Sequence, residues 1–290
     1  MPQDNWSFLT QLLLQQWTGA LYAIKLVSFA LVPAIIIELL APARRLHVRT
    51  VLMNLAYAPV YMTLAGIALY PIDHFLSPLL TRNLLGWTVT NQPWWVVGFV
   101  TFVYLAVFDF FYYWFHRAQH RWPLLWRYHR FHHADPNISA SSTIRHHWLE
   151  EVLRYFVLGI PVIVLFGQPD RTLPWLGMLI GIYGMFIHWN VKLPLGPLSL
   201  VIVGPQYHRI HHSLKKEHFD KNFAVFFPFW DRLFSTTFLP QKGEYAETGV
   251  QDGGSANGLG QLLPYPLIST ATVSGDMIVD GSSAAHGNQR

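Results

Sequence analysis

The chain contains no cysteine among its 290 residues. That excludes disulfides, iron–sulfur clusters and thiolate catalysis, and it leaves histidine as the obvious ligand for a transition metal. Charge is also scarce. Only 12% of the residues are Asp, Glu, Lys or Arg, against about 25% in a typical soluble domain. Hydrophobic residues make up 52% and aromatics 16%. This is the composition of an integral membrane protein with aromatic side chains at its interfaces. The net charge is +4 and the pI near 9.3. The basic residues flank apolar runs, so they are read as topology signals and not as a nucleic-acid surface. No glycine pattern of a dinucleotide site is present. Met1–Ser7 lacks the basic region and small-residue cleavage site of a signal peptide.

The apolar runs predict an all-α membrane protein with about four to five transmembrane or hairpin helices. Residues 8–41 carry only Lys25 and Glu38 as charges, residues 51–71 carry none and contain Pro59 as a kink, and residues 94–115 carry only Asp109. Each is long enough to span. Residues 155–167 and 173–189 are shorter, joined by a turn from Gly167 to Thr172. They form either a hairpin that dips into the bilayer or two short spans. Positive charge sets orientation. Arg44, Arg45 and Arg49 lie in one loop, Arg117, Arg121, Arg127, Arg130, Arg145 and Arg154 in another, and seven basic residues between Lys192 and Lys242. The opposite loops hold only Arg82 and Arg171. The first group is expected on the cytoplasmic side. The division expected is 1–93 as N-terminal membrane helices, 94–240 as a catalytic domain with a helical, histidine-rich cytoplasmic cap, and 241–290 as a mostly disordered extension with an apolar patch at 261–269.

Fifteen histidines are present, and eight fall into three boxes. His116 and His120 form His-x-x-x-His at the end of an apolar run. His129, His132 and His133 form His-x-x-His-His, and so do His208, His211 and His212. Residues at i, i+3 and i+4 share a helix face, so each box is expected to aim its imidazoles at one point. Eight nitrogen ligands exceed the four of one tetrahedral zinc and suit two ions with open positions. Imidazole suits zinc, copper, iron and nickel, and histidine-only ligation accommodates divalent iron. His147 and His188 are expected to reach the metals, His146 less so, because its neighbour would point elsewhere on a helix. His47, His74, His218 and His286 are read as ordinary. Asp109 lies seven residues before His116, either as an acceptor that orients a ligand or as the partner of a buried Tyr or Arg. Asp231 is similar, and Glu150 is expected to pair with Arg145.

These boxes, in this order, resemble the fatty acid hydroxylase and sterol desaturase superfamily of membrane di-iron oxygenases. The resemblance covers roughly residues 95–239. It includes Asp109–Arg117 before the first box, Trp126-Arg127-Tyr128-His129 into the second, Arg145-x-His147-x-x-Glu150, Asp220-Lys221-Asn222-Phe223, and Trp230-Asp231-Arg232-Leu233-Phe234. The late segment is also similar to the alkylglycerol monooxygenase branch. The resemblance implies two irons held by His116, His120, His129, His132, His133, His208, His211 and His212, with His147 and His188 matching further family histidines. It implies O2 as co-substrate, hydroxylation or desaturation of a lipid C–H bond, and zinc as a contaminant of purified samples. Asp109, Glu150, Asn222 and Asp231 are the supporting polar residues. Electrons are expected from an external reductase acting through a ferredoxin or a cytochrome b5-like protein. The competing readings are a membrane zinc hydrolase with Glu150 as base, and a metal transporter.

Overall fold

The computed structural model describes residues 5–80, 83–87, 89–167 and 175–251. Arg82, Arg171, most of the expected turn before Thr172, and the extension beyond Gln251 with its apolar patch and His286 lie outside the described residues. The protein is all-α. Among the described residues there are no strands, only two isolated bridges, Pro42 to Val191 and Ser213 to Thr248.

Three helices are long and apolar enough to cross a membrane. Helix α1 (Asn5–Leu40) has 36 residues, α2 (Val48–Leu76) has 29 and α3 (Trp94–Arg121) has 28. At 1.5 Å per residue they rise roughly 54, 44 and 42 Å, each longer than the roughly 30 Å hydrocarbon core. α2 therefore extends beyond the apolar stretch 51–71 at both ends. Phe29, Leu40, Leu52 and Trp94 stand exposed on these helices. Such a surface is stable against lipid tails, not against water. Hydroxyl groups in α1 are satisfied locally: Thr18 donates to Leu14 O at 2.8 Å and Ser28 to Lys25 O at 2.6 Å.

The cap is built from short helices at the ends of the long ones. α3 stops at Trp122, whose backbone is extended, and Pro123 opens α4 (Pro123–His133). Proline excludes the helical conformation from its predecessor and is itself favoured at a helix start. The same device opens the helix of the third box at Pro205. A 3-10 turn at Ala140–Ile144 leads to α5 (Trp148–Arg154), which continues through a π turn at Tyr155–Gly159 into α6 (Ile160–Phe166). Pro161 cannot donate to the preceding turn, and the π turn absorbs the defect. Gly167 ends the run at φ 80°, a left-handed value that favours glycine. Helix α7 (Leu176–Ile187) has 12 residues and rises about 18 Å, too little to cross alone. Then follow α8 (Pro205–His211) and α9 (Phe229–Leu233).

One core ties these parts together. Tyr104 and Leu105 of α3, Val162 and Phe166 of α6, Ile187 of α7 and Tyr207 of α8 pack with Val225 and Phe226. The N-terminal helices are fastened to the cap by buried polar groups. Glu38 of α1 accepts the backbone N–H of Ala140 at 2.7 Å and of Asn190 at 2.8 Å. Asn54 of α2 donates to Ser141 Oγ at 3.1 Å and accepts from Arg145 at 3.1 Å. Tyr57 donates to His146 O at 2.8 Å.

Residues 241–251, grouped with the extension by composition, are docked across the third box as a strap. Arg209 Nε donates to Ala246 O at 2.8 Å, and Gln206 Nε2 to Glu244 O at 2.9 Å and Gln241 O at 3.0 Å. Leu214 N–H donates to Glu247 O at 3.0 Å and Thr248 Oγ1 accepts Ile138 N–H at 3.2 Å. By these contacts the folded part of the chain continues past 240. Cutting the chain after Gln251 should leave the melting temperature in detergent nearly unchanged. Cutting after Pro240 strands several buried donors at about 1–3 kcal/mol each and should lower it by roughly 10 °C or more. Equal melting of the two truncations would show that the strap carries no stability.

Candidate metal centre

The three boxes converge, but not box by box. His116, His120, His129, His133 and His211 form one cluster, and His132, His188, His208 and His212 form a second. Within each, one ring nitrogen per residue lies within 4.8 Å of the others. The expectation that each box aims at one point is corrected by helix geometry. In α4 the i, i+4 pair His129 and His133 points to the first cluster and His132, about 100° away, to the second. At the third box the i, i+4 pair His208 and His212 serves the second cluster and His211 the first. The clusters share a wall, where His133 and His212 stack with centroids 4.2 Å apart and planes at 20°.

Backbone carbonyls decide where the protons sit. His116 Nδ1 lies 2.8 Å from Phe223 O, His211 Nδ1 2.8 Å from Lys221 O, His132 Nδ1 3.2 Å from Arg145 O, and His188 Nδ1 2.7 Å from Gly184 O. A carbonyl only accepts, so each Nδ1 bears the hydrogen and each Nε2 of the neutral ring is a bare lone pair. His129 is fixed the same way by the Glu150 carboxylate, 3.0 Å from its Nδ1. The bare nitrogens then face one another: His116 and His129 Nε2 are 3.0 Å apart, and His132 and His188 Nε2 are 3.2 Å apart. Two lone pairs at that distance repel, and a cation between them removes the repulsion. Nitrogens at about 2.1 Å from one ion, at right angles, lie about 3 Å apart, so the spacing is that of ligands on a shared metal. The buried Nε2 of His211 has no hydrogen-bond partner and belongs to the first cluster. The donors fit divalent transition metals.

Burial keeps these rings neutral. It holds His132, His133, His208 and His212 well below the usual imidazole range, with neighbouring imidazoles adding to the effect. It presses His188 down to about 4 and His211 to about 3. Burial by itself would raise Glu150, but the hydrogen bond from His129 and the nearby His146 ring prevail and hold its pKa well below normal. The carboxylate stays ionised, also accepting from Gln119 Nε2 at 2.6 Å and from the His147 N–H at 3.0 Å. Arg145, its expected partner, reaches other groups. Its guanidinium donates to Phe131 O at 2.8 Å and to Asn54.

His188 lies in the second cluster, whereas His147 lies outside both and His146 groups with His129 and Glu150. The backbone at His147 is extended (φ −79°, ψ 138°), so neighbouring side chains point to opposite sides. His147 caps α5, its Nδ1 accepting the Leu149 N–H at 3.1 Å, and its ring lies against Tyr128 and Trp148, outside the two clusters. His146 stacks on His132 at 4.4 Å and 13°, with Nδ1 3.7 Å from Glu150. The signal was legible: His147-x-x-Glu150 has the spacing of a capping box.

Asp109, Asn222 and Asp231 act at one remove. Asp109 accepts the N–H groups of Val225, Phe226 and Phe227 at 2.7–3.1 Å, not an imidazole, a tyrosine or an arginine. Asp231 accepts those of Phe223 and Ala224 at 2.8 and 3.1 Å. Asn222, at φ 60°, donates to Tyr207 O and Phe238 O. Together they fix the loop whose Lys221 and Phe223 carbonyls orient His211 and His116.

Comparison with known proteins agrees with this geometry. Residues 101–236 match the model of the fatty acid hydroxylase family. This segment is a fatty acid hydroxylase domain. An ornithine lipid hydroxylase of Rhizobium tropici is 29% identical over 173 residues, 60% of this chain and 52% of its own. Human alkylglycerol monooxygenase is 33% identical over 176 residues, 57% of this chain and 37% of its own. A very-long-chain aldehyde decarbonylase of Oryza sativa subsp. indica is 30% identical over 158 residues, 50% of this chain and 24% of its own. The chain thus spans about half or less of the curated relatives it matches. No solved structure matches it. The membrane-length helices and the hydroxylase-domain match together support a membrane protein.

Two predictions follow from the site. His147→Asn preserves the cap and should leave metal content unchanged, whereas His188→Ala should lower metal retention about 10–100-fold in chelator competition. The reverse result would restore His147 as the ligand. The second concerns acid. Folded imidazole pKa values lie below the unfolded value near 6.5, so the unfolded chain binds more protons as pH falls below 6.5. Stability should be flat above that pH and fall below it by up to about 1.4 kcal/mol per pH unit for each such histidine. Melting curves between pH 7.5 and 5.5 measure the slope, and a flat profile would show that the rings are not buried neutral.

Proposed function

We propose that this chain is a multi-pass membrane oxygenase that uses two irons and O2 to hydroxylate or desaturate a C–H bond in the hydrocarbon chain of a membrane lipid. The observation that carries the reading is the pair of adjoining imidazole clusters, nine rings of which eight are buried, set at the ends of membrane-length helices. Irons held there, by His116, His120, His129, His133 and His211 and by His132, His188, His208 and His212, would supply O2 activation and an oxidant able to take hydrogen from an unactivated carbon. The protein's own part is to keep the imidazoles neutral, orient them and exclude water.

An apolar groove of about 260 Å³ lies between Ala30 of α1 and Leu179, Ile182, Tyr183, Met185, Phe186 and Trp189 on and after α7. Met185 and Trp189 flank His188, a member of the second cluster. The groove therefore follows the helix that ends at the site, and its lining suits an acyl or alkyl chain. The positive loops support a cytoplasmic side for the clusters. Electrons come from a separate reductase through a ferredoxin or a cytochrome b5-like carrier. The zinc hydrolase reading is weakened because both oxygens of Glu150 are already engaged by Gln119, His129 and the His147 N–H. A transporter would place its ligands at mid-membrane.

The test is turnover of iron-loaded protein in lipid vesicles with an electron-donor system and isotopically labelled O2. The expected product carries one labelled oxygen atom, or has lost two hydrogens, and His132→Ala and His211→Ala, one from each cluster, each abolish it. Product formation without O2 consumption, or full activity in either variant, would overturn the proposal.

A further inference from the structure

The two clusters differ in their access to the surface. His132, His188, His208 and His212 are all buried. His120 of the first cluster keeps 8% of its side chain accessible. The half-buried indole of Trp126 covers it, with centroids 5.1 Å apart, and the same indole lies 5.3 Å from His133 and 6.4 Å from His129. One aromatic side chain thus touches three rings of a single cluster. On its other side His120 Nδ1 faces Asp220 at 4.0 Å, whose side chain is 61% exposed. The positive charges of Arg121, Lys221 and Arg117 all act on that carboxylate. Arg121 is exposed, and Arg117 and Lys221 are half-buried. On the second cluster's side, Met185 and Trp189, which flank His188 in the chain, line the apolar groove along α7. The site therefore has a basic, aqueous side and an apolar, lipid side.

We propose that Trp126, with the basic rim of Arg117, Arg121 and Lys221, is the port through which an acidic one-electron carrier protein reduces the site. This rests on the oxygenase reading. In that reaction each hydroxylation takes one O2, two electrons and two protons, places one oxygen atom in the C–H bond and releases the other as water. Two carriers are each oxidised by one electron. Electron tunnelling falls steeply with distance, so a carrier gains most by docking where a conjugated ring already touches three ligands. Positive charge at the rim raises the encounter rate of a negatively charged carrier and makes it sensitive to salt. With reduction at one side and substrate at the other, the carrier does not obstruct the lipid.

The experiment uses the full iron-loaded chain in detergent and two small reductants of opposite charge, the radical anion from dithionite and the methyl viologen radical cation. Loss of the ferric absorption is followed anaerobically, and iron content is measured for every variant. In the wild type the anion should react faster than the cation, and its advantage should shrink as salt rises through about 0.15 M, where screening shortens to roughly 8 Å. Arg121→Glu should reverse that preference by about tenfold at unchanged iron content. Trp126→Leu should slow both reductants, and Trp126→Phe should recover most of the rate. Indifference to reductant charge and salt, or wild-type rates in the charge-reversed and Trp126→Leu variants, would overturn the port. If Trp126→Leu loses iron, the charge-reversed variant decides. Failure of the wild type to take up iron would instead overturn the oxygenase reading.

Discussion

The fixed direction of a few backbone carbonyls is the constraint on which this site depends. Phe223, Lys221, Arg145 and Gly184 each present an oxygen to an imidazole Nδ1. An acceptor there leaves the other ring nitrogen bare, so carbonyl geometry, more than histidine chemistry, turns the lone pairs inward. The polar side chains around the site serve this end. Asp109 and Asp231 hold the 223–227 loop by its amides, and Asn222 accepts the Phe238 N–H at 2.8 Å while spanning to Tyr207.

That arrangement also explains why so many polar groups are buried at the base of the membrane helices. Glu38, Asn54 and Tyr57 do not bind metals. They bind the backbone and side chains of the segments that carry Arg145, His146 and Asn190. Buried polar groups are costly unless paired, and paired ones specify a single arrangement. Here they lock two membrane helices to the cap that positions the histidines. The strap at 241–251 does the same from the other end, through Arg209 and Gln206, which flank the third box.

The domain match, the relatives and the geometry bear on different aspects of function. The match covers residues 101–236 and the structure places all three boxes within it. The relatives include a hydroxylase, alkylglycerol monooxygenases and an aldehyde decarbonylase. In this chain the groove between α1 and α7 draws Ala30 from outside the matched domain. The N-terminal helices therefore contribute to the surface that a hydrocarbon chain would meet.

The sequence by itself determined the membrane-spanning class, the three long helices and the histidines of the boxes. Those features are written in local patterns: apolar length sets a span, and repeated spacing marks a shared helix face. His188 was also legible, as an ionisable residue at the end of an apolar run. What only the tertiary structure decided was how the ligands divide between two clusters and which neighbour of Arg145 enters the site. It also decided what orients each ring. His146 and His147 are adjacent, and one ψ angle together with a capping bond separates their roles. The orienting groups are backbone carbonyls, which every residue possesses, so no side-chain pattern distinguishes Phe223 or Gly184 as an acceptor. Their placement depends on contacts such as Asp109 to Val225, 116 residues apart, and such pairings exist only once the chain has folded.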